Sequence, residues 1–408
     1  MRKLLSRELS HFKALNQRAQ SLLLSFVSFN IAAPLLTLFC SAYIWRQKHE
    51  LLHVAVFHGA WMVGVTVAFV ANGLLLRYVA LKWLYAIGLV LQSASYAALF
   101  AAPELSLTTL APLGLICGSM AALYWGNRNL LSLQMTQGSE RDYFCSFESA
   151  FATLLSVVSP AVFGWFLQVG THAQEEAIVL RYQILTAIMV AIQVAGAWYI
   201  VRAPFDDYTP SSIVVTKASS FWNQARLFTA LKGVADGSAL FLPTLVVMRL
   251  IGEEGALGTL QSLATVITSA LMYGLARWMR GERRHRVLAS GVGIMVVAGL
   301  VLSVWYSSIG GIGYIILQAL SIQLIWAAAN PIILDAINFD QQRDGDSYRY
   351  VVDRELFLNI GRMTGVFIVL VLNYFSDDDV TLRITPIVLA LATSFMLVSS
   401  RDLSRKTG

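Results

Sequence analysis

Twelve stretches of mostly apolar residues follow one another along this chain, separated by short polar segments. Each has about 20 residues, the length that a helix needs to cross a hydrocarbon core of about 30 Å. Strands of a membrane barrel would be about ten residues of alternating polarity, and these stretches are continuously apolar. We therefore expect an all-α polytopic membrane protein with transmembrane helices at 21–45, 52–76, 83–102, 107–133, 146–169, 181–201, 227–248, 256–278, 287–306, 311–336, 350–375 and 384–400.

The amino-acid composition excludes a protein that is soluble in water. The chain is 57% hydrophobic and 13% charged, whereas a soluble domain has about 25% charged residues. So few charges cannot cover a particle of 408 residues unless lipid is the solvent. Three cysteines are too few for a disulfide scaffold, and their spacing suits neither a metal nor a redox site. We predict no cofactor.

The basic residues indicate how the helices are oriented. Most of the 30 Lys and Arg residues fall near the two ends of the chain and in every second connection between helices. Positively charged loops stay on the cytoplasmic side, so we expect both termini in the cytoplasm and the helices in a bacterial inner membrane. Residues 1–20 are predicted to form a basic amphipathic tail that either lies on the inner leaflet or is frayed, and 401–408 a second tail. These loops account for the net charge of +6, which therefore predicts no nucleic-acid partner.

The longest polar connection divides the chain into two blocks of six helices that share local patterns. Trp125 stands late in the fourth helix where Trp326 stands late in the tenth. Each tryptophan is followed by a charged loop and then by a glutamate, Glu148 in one block and Glu355 in the other. Repeated six-helix halves are characteristic of transporters that open alternately to the two sides. The predicted organisation is an N-terminal bundle at 21–201, a cytoplasmic loop at 202–226 and a C-terminal bundle at 227–400.

Two short motifs add to this pattern. The loop after the second helix contains Gly73, Leu75 and Lys82 at the positions of a Gly-x-Leu-x-Asp-Arg-x-Gly-Arg-Lys/Arg motif, with Arg77 in place of the aspartate. The fifth helix retains Pro160 from a longer Gly-Pro motif. In topology, half-repeat and loop position the chain resembles the major facilitator superfamily. The resemblance implies two pseudo-symmetric six-helix bundles around one central cavity that faces each side of the membrane in turn.

Asp236 and Lys232 are the ionisable residues that we expect near the middle of a transmembrane helix. Charged groups at this depth are costly and usually face the bundle interior or water. Because the two residues are one turn apart, they share a helix face. We predict that Asp236 binds a coupling proton or monovalent cation, or a cationic part of the substrate, and the alternative is an ion pair that only neutralises itself.

Arg128 lies in a polar and aromatic cluster toward the cytoplasmic third of the fourth helix. A guanidinium offers forked donors to anionic oxygens, which favours binding of a substrate carboxylate or phosphate. The alternative is an arginine that reaches the inner headgroups, with Trp125 as an interfacial anchor. Amides among apolar residues of the first and tenth helices face either the cavity or other helices. The predicted substrate-binding residues are Arg128, Tyr124, Trp125, Asn127, Asn30, Trp326 and Asn330.

Charged residues cluster where the predicted fifth and eleventh helices begin. Such charges suit a cytoplasmic gate, in which salt bridges between the halves form in one conformation and break in the other. Carboxylates at helix starts also favour the positive end of the helix dipole, which is the simpler interpretation. The predicted gate residues are Arg77, Arg141, Asp142, Glu148, Arg277, Arg354, Glu355 and Arg362.

One further pattern, His49-Glu50-Leu51-Leu52-His53, formally matches a zinc-binding HExxH motif. It straddles a short turn and a helix start, and no third ligand follows at a suitable position, so we predict no metal site and no enzyme. The favoured hypothesis is a secondary transporter that moves a small or amphiphilic solute, coupled to a proton or cation gradient. Two alternatives remain open: a flippase for a lipid or lipid-linked headgroup, and a non-transporting sensor or assembly factor with the same fold.

Overall fold

The computed structural model describes residues 16–135, 139–169, 175–210, 212–216, 218–278, 283–341 and 347–407. Within these residues twelve helices are long and apolar enough to cross a membrane, as the sequence predicts. Their bounds are α1 Gln17–Lys48, α2 Leu51–Leu75, α3 Leu81–Ala101, α4 Leu107–Met135, α5 Ser139–Gln168, α6 Glu175–Arg202, α7 Ser220–Ala239 with Leu242–Leu250, α8 Glu254–Trp278, α9 Arg284–Val304, α10 Ser308–Gln341, α11 Ser347–Phe375, and α12 Asp378–Ser394 with Met396–Thr407.

Two of these helices depart from regular α-helix near the middle of their span. Helix α1 contains a π-helical turn at Leu35–Phe39 that begins directly after Pro34. A proline inside a helix removes one backbone hydrogen bond, which is a common cause of such a distortion. Helix α7 is interrupted at residues 240–241, and Pro243 lies in the first turn of its second segment, Leu242–Leu250. Both interruptions lie beside the central cavity described below.

Several predicted boundaries differ from those of the structure. Helix α1 begins at Gln17, inside the predicted tail, and residues 1–15 of that tail lie outside the described residues. Helix α7 begins at Ser220, so the connection between the halves is shorter than the predicted 202–226. The Ser219 side chain caps this helix by accepting a hydrogen bond from the Trp222 amide, and Ser219 also donates to Asp340 of α10 at 2.6 Å.

The two halves, α1–α6 and α7–α12, repeat one packing scheme. In each half the first helix packs against the fifth and the sixth, the second against the fourth, and the third against the fourth and the sixth. The contact between α7 and α11 is especially close, because a Cβ atom at Gly361 would lie 1.9 Å from the Ala230 carbonyl oxygen. The predicted pseudo-symmetric pair of six-helix bundles is confirmed.

Alternate crossing by twelve helices places the start of α1 and the end of α12 at the same end of the bundle, here named the termini face. The opposite end is named the distal face. The halves contact each other along α5 with α8, along α2 with α11, and between the distal parts of α1 and α7. A cavity of about 660 Å³ lies between the halves, lined by α1, α5, α7, α8 and α10.

Candidate functional site

The central cavity is lined by hydroxyl, amide and apolar side chains. The first half contributes Asn30 and Thr37 from α1, and Thr153 and Ser156 from α5. The second half contributes polar residues from α7, α8 and α10 together with an apolar wall. None of the described lining residues is charged. The polar lining of the second half is Thr244, Gln261, Thr265, Thr268, Ser269, Gln318 and Gln323.

The cavity is closed at the distal face by contacts between the halves. Arg46 of α1 donates from Nε and Nη2 to the two carboxylate oxygens of Glu254 of α8, each at 2.6 Å. The side chain of Glu254 is only 3% exposed. Gln168 of α5 donates to Glu253 at 2.8 Å, and the Leu51 amide of α2 donates to Asp378 of α12 at 3.0 Å. These contacts, named the distal seal, were not anticipated from the sequence.

Backbone packing extends the distal seal toward the middle of the bundle. A Cβ atom at Gly258 of α8 would lie 2.1 Å from the carbonyl oxygen of Pro160 in α5, so no larger residue fits there. One turn further, Ser262 donates to the Val157 carbonyl at 2.6 Å. The cavity begins where these contacts end, since Ser156 of α5 and Thr265 of α8 line it. It therefore lies on the termini side of the seal.

The predicted pair Asp236 and Lys232 forms an ion pair in α7. Arg362 of α11 places Nη2 at 3.9 Å from Asp236, so one carboxylate is shared by two cations. The Lys232 ammonium also lies 5.0 Å from the ring centre of Trp326 in α10. Asp236 is one turn from the cavity-lining Ala239 on the same helix face. The cluster, named the C-half cluster, therefore borders the cavity on the termini side without lining it.

The first half contains a matching arrangement. Arg128 of α4 is hydrogen-bonded to Glu148 of α5, and its guanidinium lies 4.8 Å from the ring centre of Phe26 and 5.7 Å from that of Trp125. Phe26 is one turn from the cavity-lining Asn30. This N-half cluster therefore also borders the cavity through Phe26, although its ion pair joins α4 and α5 whereas the pair of the C-half cluster lies within α7. The pairing of Arg128 with Glu148 also explains how a buried guanidinium is tolerated in this span.

The exposed tryptophans distinguish the two clusters from ordinary core. Trp125 is 37% exposed and Trp326 43% exposed, each directly beside an ion pair. The sequence repeat aligns these two residues, and they lie in corresponding helices of the two halves, α4 and α10. A cation held over an aromatic face gains about 0.5–2 kcal/mol, depending on its exposure to water.

Other predicted binding residues lie elsewhere. Tyr124 is fully buried and stacks on Phe29 with ring centres 4.0 Å apart. Asn127 exchanges hydrogen bonds with Asn72 of α2 at 2.8 and 3.1 Å, so both amides are satisfied within the first half. Asn330 is half-buried on α10 and is not among the described residues that line the cavity. Of the predicted binding residues, only Asn30 lines it.

The predicted gate residues form no ion pair between the halves among the described side chains. Glu148 pairs with Arg128 in its own half, and Arg354 pairs with its neighbour Glu355 at 2.8 Å. Arg77 is exposed after α2. The side chains of Arg141, Asp142 and Arg277 lie outside the described residues.

The histidines of the HExxH pattern are also separated. His49 ends α1 in a left-handed conformation with φ of 52°, whereas His53 lies in α2 with Nδ1 at 2.9 Å from Glu50. Among the described residues, no group of three or more His, Cys, Asp or Glu side chains could hold a metal ion.

The N-half cluster leads to a stability prediction. Glu148→Gln should leave Arg128, whose side chain is 17% exposed, without its counter-charge, which costs up to the value of about 3–5 kcal/mol for a fully buried pair. We expect a lower melting temperature for the purified protein, measured by intrinsic fluorescence. Glu50→Gln is the matched control, since that side chain is 60% exposed. An unchanged melting temperature for Glu148→Gln would show that Arg128 reaches headgroups or water instead.

Comparison with known proteins places this geometry in context. No protein-family model matches the chain. It is similar to the uncharacterized protein YqgE of Bacillus subtilis (strain 168), with 20% identity over 381 residues that cover 93% of this chain and 88% of that protein.

Solved structures of transporters share this fold, among them FucP, a transporter of the major facilitator superfamily. A bacterial homologue of the iron transporter ferroportin in an inward-facing state matches with a TM-score of 0.68 and 14% identity, over 95% of this chain and 98% of that one. The nucleoside transporter NupG matches with a TM-score of 0.65 and 12% identity, over 95% and 99%. The E. coli fucose:proton symporter FucP matches with a TM-score of 0.59 and 15% identity, over 95% and 97%. The chain has the major facilitator fold and is an integral, multi-pass membrane protein.

Proposed function

We propose that this protein is a secondary transporter that moves a small solute across the membrane by alternating access. The observation that carries the proposal is a cavity between two repeated halves, sealed by contacts at the distal face and reaching toward the termini face. In this proposal the termini lie in the cytoplasm, as the positive-inside rule predicts, and the structure then corresponds to an inward-facing state. The outward-facing state requires the distal seal to break and the predicted gate charges to meet.

The energy source in this proposal is a proton or monovalent cation bound at Asp236. An ionised Asp236 holds Lys232 of its own helix and attracts Arg362 of α11. A proton on this carboxylate would weaken both attractions and would free two cations beside the cavity. Because α7 borders the cavity between the halves, we propose that this change alters the balance between the two states. Coupling requires that the proton or cation bind the two states with different affinities.

Alternating access is tested by the reactivity of a single cysteine placed in the cavity. In a background without native cysteines, Ser156→Cys should react with a membrane-impermeant maleimide added to the termini face. It should also react when the reagent is added to the distal face, about 10-fold or more slowly if the conformation seen here is the more populated one. The experiment uses inside-out and right-side-out vesicles and measures labelling rates.

Two surface variants provide the matched controls for sidedness. Tyr78→Cys, at a residue 86% exposed after α2, should react only at the termini face. Ile309→Cys, at a residue 75% exposed at the start of α10, should react only at the distal face. Labelling of Ser156→Cys from one face alone, under all conditions, would contradict alternating access and favour a non-transporting sensor with this fold.

A further inference from the structure

Three glutamine amides converge on the central cavity without a protein partner. Gln318 and Gln323 of α10 and Gln261 of α8 all line it. None of their side-chain amides forms a hydrogen bond with another described residue. Gln318 is 93% buried by the protein, since only 7% of it is exposed, and that remainder faces the cavity. An amide removed from water without a partner costs about 1–3 kcal/mol, so a solute that displaces water from this cavity must supply partners for these three amides.

The hydroxyl groups around these amides present acceptors to the cavity. Thr265, Thr268 and Ser269 of α8 each donate to a carbonyl of their own helix, at 2.7 to 2.9 Å. Thr37 of α1 does the same at 2.8 Å. Their protons are therefore engaged, and the oxygen lone pairs remain. The amides supply donors and acceptors, so the lining offers both kinds of partner.

Charge is kept out of the cavity. None of the described lining residues is ionisable, and the nearest charges are paired with each other in the N-half and C-half clusters. While both clusters are paired, an ionised solute would lose hydration on entry and meet no counter-charge among the described lining residues, which is unfavourable. The lining thus selects against ions.

We propose that the substrate is a neutral solute whose hydroxyl or amide groups both donate and accept hydrogen bonds, with Gln318 as a principal contact. This inference rests on the proposed transport function and specifies its substrate class. The apolar wall that includes Leu38, Ile315 and Ile322 covers the less polar side of the solute. The cavity volume of about 660 Å³ lies within the range of about 300–1,000 Å³ typical of small-molecule sites.

Ligand-induced stabilisation of the purified protein tests the substrate class. Three panels of small molecules are used: neutral solutes (methyl glucoside, mannitol, uridine, cyclic dialanine), carboxylates (gluconate, glutarate) and organic cations (choline, spermidine). We expect at least one neutral compound to raise the melting temperature with increasing concentration, as ligand binding to the folded state requires. Stabilisation by ions alone, or by no neutral compound at 10 mM, would overturn the proposal.

Substitution of single glutamines shows where the neutral ligand binds. Gln318→Leu should raise the dissociation constant of the neutral ligand about 10-fold, the value of one hydrogen bond. Gln193→Leu is the matched control, since Gln193 is fully buried in α6 and is not among the cavity-lining residues. Equal effects of the two substitutions would place binding outside the cavity and would contradict the assignment.

A comparison of methyl and octyl glucoside distinguishes a free solute from a lipid headgroup, because only the latter gains affinity from an apolar chain. Failure of the substrate class is separable from failure of the transport proposal. Binding of a neutral ligand in a protein whose Ser156→Cys reacts from one face alone would leave the class intact and exclude transport. Labelling of Ser156→Cys from both faces, in a protein that only ions stabilise, would support transport and overturn the neutral substrate class.

Discussion

Oxidation of the double variant Gln168→Cys/Gly255→Cys is expected to abolish solute movement, and reduction to restore it. An ideal Cβ atom at Gly255 of α8 would lie 3.6 Å from the Cβ atom of Gln168 in α5. Cβ atoms joined by a disulfide are about 3.5–4.5 Å apart, so the bond forms without displacing either helix. The lock ties the halves together inside the distal seal, and the outward-facing state becomes inaccessible.

Counterflow in proteoliposomes measures this effect, with the stabilising neutral compound as the probe. The oxidised double variant should lose more than 90% of the flux, which dithiothreitol should return. Gln168→Cys and Gly255→Cys alone, exposed to the same oxidant, control for damage to the protein and for the loss of the Gln168 contact with Glu253. Full flux through a demonstrably oxidised protein would mean that the halves need not separate at the distal face.

The number of membrane-spanning helices was predictable from the sequence. Twelve apolar stretches are sufficient to predict twelve spans, because in lipid a helix is the only way to satisfy the backbone of such a segment. Helix ends were less predictable. Ser219 caps α7 through contacts with both Trp222 and Asp340, and the second of these contacts depends on tertiary structure that hydropathy does not reveal.

The candidate site was predictable only in part. Charged residues within spans are rare, so Asp236, Lys232 and Arg128 were identified, and the structure adds Arg362 and Glu148 as their partners. The uncharged lining was largely missed, because a glutamine such as Gln318 in an apolar helix has no sequence feature that separates cavity from interhelical contact. The distal seal was missed for a related reason. Arg46 and Glu254 lie at the ends of helices that are far apart in sequence, and charges at helix ends are ordinarily solvated.

Asp236→Asn is expected to remove the pH dependence of transport. An asparagine carries no charge at any pH, so it holds α7 and α11 permanently in the weakened arrangement that a proton would produce in the native protein. Uptake against a concentration gradient should fall at least about 10-fold, since no proton can be bound and released in each cycle. Counterflow, which needs only solute exchange, should persist. Measurement of both rates between pH 5.5 and 8.5 separates coupling from a general loss of activity.

The substitution also leaves Lys232 without its counter-charge, although its side chain is only 5% exposed. Removal of one partner from a buried pair costs about 3–5 kcal/mol, and misfolding must therefore be distinguished from uncoupling. Lys232→Gln combined with Asp236→Asn removes both charges and should recover much of the stability while remaining uncoupled. Asp335→Asn serves as the control in the same half, because its pair with Arg284 is 29–40% exposed at the termini face and should not influence the pH profile. A well-folded Asp236→Asn protein that keeps the native pH profile would show that the proton or cation binds at another residue.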